Sequence, residues 1–475
     1  MKKMIRSSVH LHEKSVTMML LTFRENCIEQ KEKAWKEINI MSRICIYKLG
    51  PVQKAEIDLD KKMQVFIGTQ ASGKSTVCKV IYYCQKIRDY TLDFLMDREQ
   101  FSENHENEYF NNYMKYLTKQ FMGCFGKTTH MQQFKIEYTF GQNQITITLN
   151  EDGYIRFKFD EYLKRAVNGH ILEAAQMFLS GLSSIESQSI IDNITALAFM
   201  KQQFKQRIYG LFENEAEIIY IPAGRSLLAT LSEQLQDFSI SEMDLTMQDF
   251  IKLIRNTKSK FGSKIPDIVK NYTKTVKGQI NNTSLETAYE LIKEVFKADY
   301  ISESDGEKLY FDEKHWVRLM YGSSGQQEVL WILMLAFIII LEKRNSFVVI
   351  EEPEAHLFPI AQKNVIHLIA LMVNVTKSRV IITTHSPYIL TSMNILLYSD
   401  KVEHLYGKKN PIIQKNMRIK YETFAATKLD YKLSYMENLM DEKSHMISTD
   451  YIDEVSAITN SELEQLLERE MQNDM

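Results

Sequence analysis

The chain has 475 residues, 44% of them apolar, enough to bury large cores and to form two or three domains of ordinary size, which excludes a disordered chain. Its 58 Lys and Arg against 61 Asp and Glu leave a net charge of -3, so bulk charge gives no reason to expect nucleic acid, and any basic patch has to be local. The five cysteines, Cys27, Cys45, Cys78, Cys84 and Cys124, include no C-x-x-C pair, which argues against a disulfide framework or a zinc site and points to a reducing cytoplasm.

Residues 1–40 are charged and lack a clear period. The apolar patch Val16 to Phe23 follows His12, Glu13 and Lys14 and precedes no small-residue cleavage site, so no secretion signal is expected. The ordered chain is expected to begin near Met41; either translation starts there or residues 1–40 form an accessory helical extension. Ile44–Tyr47 and Lys54–Leu59 read as strands, then Met63–Ile67 as a buried strand, a Gly-rich loop, and a helix from Ser75 into Ile87. Phe134–Phe140, Ile145–Leu149 and Tyr154–Phe159 alternate in polarity between turn residues and predict an antiparallel meander. Glu161 to Phe212 reads as helical, Glu217–Pro222 as a strand, and 227–300 as mostly helical without a sustained heptad series. Asn281-Asn282-Thr283 resembles a linker. From Leu309 the order strand, loop, apolar helix, strand (Phe347–Ile350), helix, strand (Arg379–Thr383) predicts a parallel α/β sheet. The thirteen apolar residues Val329–Leu341 fall short of the roughly 20 needed to span a bilayer and predict a buried helix.

Four segments carry chemistry. Gly68-Thr69-Gln70-Ala71-Ser72-Gly73-Lys74-Ser75-Thr76 fits G-x-x-x-x-G-K-[ST] between a strand and a helix. There Gly68 and Gly73 let backbone N–H groups wrap phosphate oxygens, Lys74 reaches the terminal phosphates and the Ser75 hydroxyl ligates Mg²⁺; the plainer reading is a Gly-containing βα turn. Phe347 to Ile350 ends in Glu351-Glu352, at the strand edge where α/β sheets bind ligands. Glu351 would then hold Mg²⁺ and Glu352 polarise the attacking water, unless the pair is simply an exposed helix start. Ser323-Ser324-Gly325-Gln326 opens the apolar helix and reads either as an anion-binding turn or as a capped start with Ser324 as N-cap. His385 ends the last strand, where a histidine is either structural or a γ-phosphate contact.

Together these motifs resemble an ABC-type ATPase head of the SMC and double-strand-break-repair class. Residues 68–76 resemble Walker A, Ser323 to Gln326 the signature, Val348 to Glu352 Walker B with its catalytic glutamate, and His385 the switch histidine. The runs Tyr220-Ile221-Pro222-Ala223-Gly224-Arg225-Ser226, Glu352 to Leu357 and Thr384 to Pro387 look most like stand-alone prokaryotic ATPases related to the OLD family, several of which serve anti-phage systems such as Septu and PARIS. The resemblance implies an α/β P-loop ABC head with a mixed sheet, an antiparallel β subdomain and a helical insertion. Its parts would be an extension (1–40), an N-lobe (41–165), a helical lid with a core strand near 217–222 (166–308) and a C-lobe (309–475).

It further implies ATP and Mg²⁺ as ligands. Gly68, Ala71, Ser72, Gly73, Lys74, Ser75 and Thr76 would bind nucleotide in one chain, while Ser323, Ser324, Gly325 and Gln326 close over it from a second; Ser75 and Glu351 would hold metal, and Glu352 and His385 act in catalysis. Glu354-Ala355-His356 takes the D-loop position at the seam. The chain departs from the pattern in using Glu351 where many relatives carry Asp and in lacking long paired coils, and neither Gln132 nor Gln133 can be assigned as a Mg²⁺ sensor. The expected function is ATP hydrolysis by a homodimer or higher oligomer, not at a membrane, that controls a separately encoded effector in anti-phage defence. A DNA-binding clamp, using Lys252, Arg255, Lys258, Lys260 and Lys264, and a nucleotide-gated scaffold with little hydrolysis are the alternatives; a transporter subunit is disfavoured. Asp441-Glu442, Asp450 and Asp453 read as scattered acids on amphipathic helices rather than a nuclease site, and Tyr451 to Met475 as an amphipathic helix, either packed on its own domain or docking a partner.

Overall fold

A computed structural model describes residues 42–101, 108–181, 190–230, 242–275, 282–406, 412–430, 436–448 and 461. The expectations for residues 1–40, Met41, Asp450, Asp453 and, apart from Ser461, the segment 451–475 lie outside them.

The centre is a six-stranded sheet in the order β14-β13-β3-β12-β11-β7. It comprises β3 (Met63–Ile67), β7 (Glu217–Ile221), β11 (Ser346–Glu351), β12 (Arg379–Thr384), β13 (Phe424–Lys428) and β14 (Glu437–Asn438). All its pairings are parallel except β13 with β14. Parallel strands covered on both faces need apolar side chains at successive positions, and β3 and β11 are buried at every residue. Their pleat divides the interior in two. Val65, Ile219, Val348, Ile350, Val380 and Ile382 enter one core, and Phe66, Tyr220, Phe347, Val349 and Ile381 enter the other.

The second core is closed by α1 (Lys74–Met96) and a five-stranded antiparallel sheet, β2-β1-β4-β5-β6. The expected meander supplies β4 (Lys135–Phe140), β5 (Asn143–Leu149) and β6 (Ile155–Phe159), and the hairpin of β1 (Arg43–Leu49) and β2 (Val52–Asp58) extends it through β1 pairing with β4. The same side is packed by α2 (Tyr109–Phe125), α3 (Glu161–Gly181) and α4 (Ile190–Leu211). The first core takes α5 (Ser226–Thr230), α6 (Leu245–Lys258), α7 (Ile265–Thr275) and α8 (Asn282–Phe296), with α9 (Ser324–Glu342), α10 (Pro359–Val375) and α11 (Pro387–Tyr406). Helix α9 is long and apolar enough to cross a membrane, yet Val329 to Leu341 is wholly buried inside the fold.

Several expectations are corrected. Helix α1 runs beyond Ile87 to Met96, and Arg88 within it turns inward and donates to Asn214 O (2.7 Å) and Ala216 O (3.0 Å). Asn282 and Thr283 open α8 rather than forming a linker; Asn281 lies outside the described residues. The stretch 227–300, expected to be mostly helical, is so through α5 to α8; β8 (Asp299–Glu303) enters only at its end and joins β9 (Gly306–Tyr310) and β10 (Trp316–Arg318) in a three-stranded sheet. Asp441 and Glu442 form no helix. They start the turn between β15 (Met440–Asp441) and β16 (Met446–Ile447), where the Asp441 carboxylate accepts from Lys443 N, Ser444 N and Ser444 Oγ.

Candidate nucleotide site

Parallel strands release their loops at one edge, so the order β3-β12-β11 brings residues 68–74, 385 and 351–352 together from three distant stretches of sequence. Between β3 and α1 the loop carries Gly68 at φ 158, Ala71 at φ 59 and Gly73 at φ 96. A Cβ on Gly73 would lie 2.6 Å from Val52 Cγ2, and one on Gly68 would lie 2.0 Å from Leu429 O. Both positions therefore exclude a side chain, and the second does so because the chain leaving β13 crosses the loop, with Leu429 N donating to Ile67 O at 2.7 Å.

Lys74 is 6% exposed. Its ammonium donates to Gly68 O and Thr69 O, both at 2.9 Å, and approaches Ser72 Oγ at 3.4 Å. Burial pulls its pKa down, opposed by the charges of Glu352, Glu354 and Glu351; the cation thus sits within the field of three acids. Ser72 is buried, Thr76 half-buried, and Ser75 and Ala71 exposed.

Glu351 ends β11 and Glu352 is the first residue beyond it, and the two carboxylates part company. Glu351 is 6% exposed; its Oε2 accepts from Ala223 N at 3.2 Å and its Oε1 is buried with no partner among the described residues. Burial and the Glu351 charge hold the Tyr220 phenol well above its ordinary pKa. Glu352 leaves the strand at φ 44, a left-handed backbone uncommon outside glycine, fixed by its N–H donating to Thr383 O (3.0 Å) and Thr383 Oγ1 (3.2 Å). Its carboxylate is half-exposed, with Oε1 3.5 Å from His385 Nε2. Glu354 folds back: Oε1 accepts from Thr384 Oγ1 (2.7 Å) and His385 N (2.8 Å), and burial raises its pKa.

Among Ser323 to Gln326 the N-cap is Ser323, not Ser324. Ser323 Oγ accepts from Gln326 N (3.3 Å) while Gln326 Oε1 accepts from Ser323 N (3.1 Å), a reciprocal capping box. Ser324 is left exposed at the first helical position. Gln327 Nε2 pins the preceding turn by donating to Met320 O and Gly322 O, and Gly325 is held so close to His356 O that a Cβ would meet it at 2.7 Å. No hydrogen bond among the described residues joins this turn to residues 68–76. The 323–326 turn thus packs against His356 but lies outside the loop's bonding network.

Sequence reasoning assigned no role to Arg225 or Glu328. Arg225, 1% exposed, donates to Pro222 O (2.7 Å), Glu351 O (2.6 Å), Glu352 O (2.9 Å) and Glu328 O (2.7 Å). The Glu328 carboxylate answers with Oε2 accepting from Arg225 N and Oε1 from Ser226 N. A signal was present: Glu328 is the last charge before thirteen apolar residues, and a charge on a buried helix face demands a partner.

Of the suggested basic run, Lys252 pairs with Asp249, Lys260 with Glu342 and Lys264 with Asp299. Much of its charge is therefore spent within the fold.

The phosphate loop between β3 and α1, and the two acids where β11 ends, define a P-loop ATPase with a mixed α/β architecture. More specifically, the AAA ATPase domain family model matches residues 41–390, and the chain belongs to that family of ATPases. A comparison with curated proteins finds no match. Among solved structures it resembles an SMC head bound to the C-winged helix domain of ScpA (12% identity, covering 84% of this chain and 97% of that one, TM-score 0.40). It also resembles the SMC head domain from Thermotoga maritima (12% identity, 74% and 92% coverage, TM-score 0.30).

Proposed function

We propose that two copies of this chain hydrolyse ATP at shared sites, and that the resulting opening and closing controls a separately encoded effector in cytoplasmic anti-phage defence. The observation that carries the catalytic part is the meeting of Lys74, Glu351, Glu352 and His385 at one sheet edge, with a buried Glu351 oxygen that meets no hydrogen-bond criterion among the described residues. The residues fit ATP and Mg²⁺: glycines 68 and 73 let the loop take backbone angles and close contacts with Leu429 and Val52 that a side chain would prevent, and Glu351 Oε1 with the exposed Ser75 hydroxyl offers hard oxygen donors. When bound, Mg²⁺ supplies charge neutralisation and orientation of the phosphate oxygens.

The chain's own groups supply the rest. Backbone N–H groups from 71 to 76 and the N-terminus of α1 cradle the phosphates, and Lys74 exchanges its carbonyl partners for phosphate oxygens. Glu352 Oε1 accepts a proton from the attacking water, while His385 Nε2 beside it orients that water and the terminal phosphate. Ser323, Ser324 and Gly325 bind the phosphates held by the other copy.

Support for the second copy comes from the apolar rim of the site. Phe358 (77% exposed), Tyr321 (72%), Ile360, Tyr388 and Leu227 are all exposed, and they flank the D-loop position, the signature turn and the switch histidine. Such large apolar side chains beside a functional turn suit a covered face. The defence role rests on the sequence resemblance, and the cytoplasmic setting on four free buried thiols, Cys45, Cys78, Cys84 and Cys124.

The test is light scattering with and without ATP and Mg²⁺, alongside phosphate release, on wild type and Glu352→Gln. The variant is expected to bind ATP, lose about 10²- to 10⁴-fold in turnover, the usual worth of a general base, and accumulate as a closed pair. Turnover at the wild-type rate would remove Glu352 from the role of base; a variant that stays monomeric with ATP bound would remove the paired mechanism.

A further inference from the structure

We propose that Arg225, held by Glu328, is a positioning residue that fixes the carbonyl ends of Glu351 and Glu352 to the signature helix of the same chain, and thereby couples the two ATP sites of a pair. The inference rests on the proposed two-copy site and adds to it a physical connection between them.

The connection is visible atom by atom. Glu352 leaves β11 with a left-handed backbone, a conformation that is strained for a non-glycine residue and persists only where surroundings impose it. Two groups impose it here. Thr383 holds the Glu352 N–H, and Arg225 holds both carbonyls, Glu351 O at 2.6 Å through Nη1 and Glu352 O at 2.9 Å through Nη2. A guanidinium is a planar fork, so its two ends cannot move independently. The same fork spans back to α9, where Nε donates to Glu328 O at 2.7 Å and lies 3.3 Å from Glu328 Oε2.

Glu328 in turn is one helical turn beyond the capping box at Ser323 and accepts from two successive backbone N–H groups, Arg225 N and Ser226 N, at 3.1 and 3.0 Å. The pair is almost wholly shielded from water, so neither charge can be left behind without a large desolvation cost. Any tilt of α9 that follows engagement of Ser323 or Ser324 with the other copy's nucleotide therefore drags the carbonyl of Glu352. The residue that senses one site is rigidly joined to the residue that acts in the other.

The burial of Arg225 is not explained by packing alone. It donates to four backbone carbonyls that an apolar side chain could not reach, including Pro222 O, and two residues earlier in the same loop Ala223 donates to Glu351 Oε2. The 222–226 loop thus grips both the carboxylate of one acid and the backbone of the other.

The experiment compares wild type, Glu352→Gln, Arg225→Lys and Glu328→Gln by steady-state phosphate release over a range of ATP concentrations, with binding of a fluorescent ATP analogue and thermal melting measured on each. Wild type is expected to show a Hill coefficient between 1 and 2, the limit for two sites. Arg225→Lys keeps the charge and loses the fork, and Glu328→Gln keeps the shape and loses the charge. In whichever of the two melts cooperatively and binds the analogue like wild type, kcat is expected to fall about 10- to 100-fold, the scale of a misplaced catalytic group. KM should stay within about threefold, and the Hill coefficient should approach 1. A folded variant with wild-type kcat and Hill coefficient overturns the inference, as does a loss confined to KM. Full activity of Glu352→Gln would instead overturn the underlying assignment of the base, so the two failures are distinguishable.

Discussion

A residue's chemistry here follows from which side of a strand it leaves and what waits there. Glu351 and Glu352 are identical in side chain and adjacent in sequence, yet one is sealed behind Ala223 and the other stands half-exposed against His385. His367 shows the same dependence in the core. It lies on α10, 5% exposed, with Nε2 unpaired among the described residues, and burial with help from Lys363 pushes its pKa down to about 4. Its folded pKa lies below the ordinary 6.5, so the unfolded chain binds the proton first. Stability attributable to this group is therefore intact above pH 6.5 and drains away as pH falls towards 4, by about 3 kcal/mol at most. His367→Leu should flatten the fall in melting temperature between those pH values; an unchanged profile would show that other groups govern it.

At the scale of elements, the start of α9 serves two readings that were both open in the sequence, a helix cap and an anion-binding turn. The geometry makes Ser323 the cap, and replacing it separates the roles. Ser323→Ala should cost about 1 kcal/mol of stability, whereas Ser323→Asp keeps a good cap and wild-type melting. If the turn also faces phosphate, Ser323→Asp nevertheless loses hydrolysis, because a carboxylate is placed against anions. Equal hydrolysis in wild type and the Asp variant would leave only the cap. The strands and helices that carry the site were legible because their signals are local: a five-residue apolar run before a glycine loop, two acids after another run, a histidine ending a third. What was not legible depends on distant partners. The strand at Phe424–Lys428 has only one large apolar side chain, two alanines and a Thr, and pairs because β3 offers an open edge. Arg88 becomes an internal donor only because Asn214 and Ala216, more than a hundred residues away in sequence, bring carbonyls to it.

At the scale of the molecule, one sheet sorts its buried apolar residues into two cores, and one of its edges gathers groups from positions 68 to 429. The proposed pairing makes a prediction that no single chain can satisfy. Lys74→Ala removes the phosphate grip but leaves the signature turn; Ser324→Arg blocks that turn but leaves the grip. Each alone should be nearly inactive. Mixed in equal amounts, they should regain a measurable part of wild-type phosphate release, because a mixed pair contains one site with an intact grip from one copy and an intact turn from the other. Absence of any recovery, with mixed pairs verified by differently tagged chains, would mean that each copy works alone. The sequence motifs alone pointed to these surfaces, but the way they are joined within a copy, through Arg225 and Glu328, emerged only from the packing of α9 against the end of β11.

The Leu429 carbonyl that crowds Gly68 also has a bearing on biosynthesis. The phosphate loop is made early, but the strand that walls it off is made several hundred residues later, so the loop remains open on one side while most of the chain is still being extended at the ribosome. A fragment released before Leu429 would carry every motif of the ATPase and still lack the edge of its sheet. The wall of the phosphate loop is therefore in place only once synthesis has passed β13, with β14 to β16 still to follow.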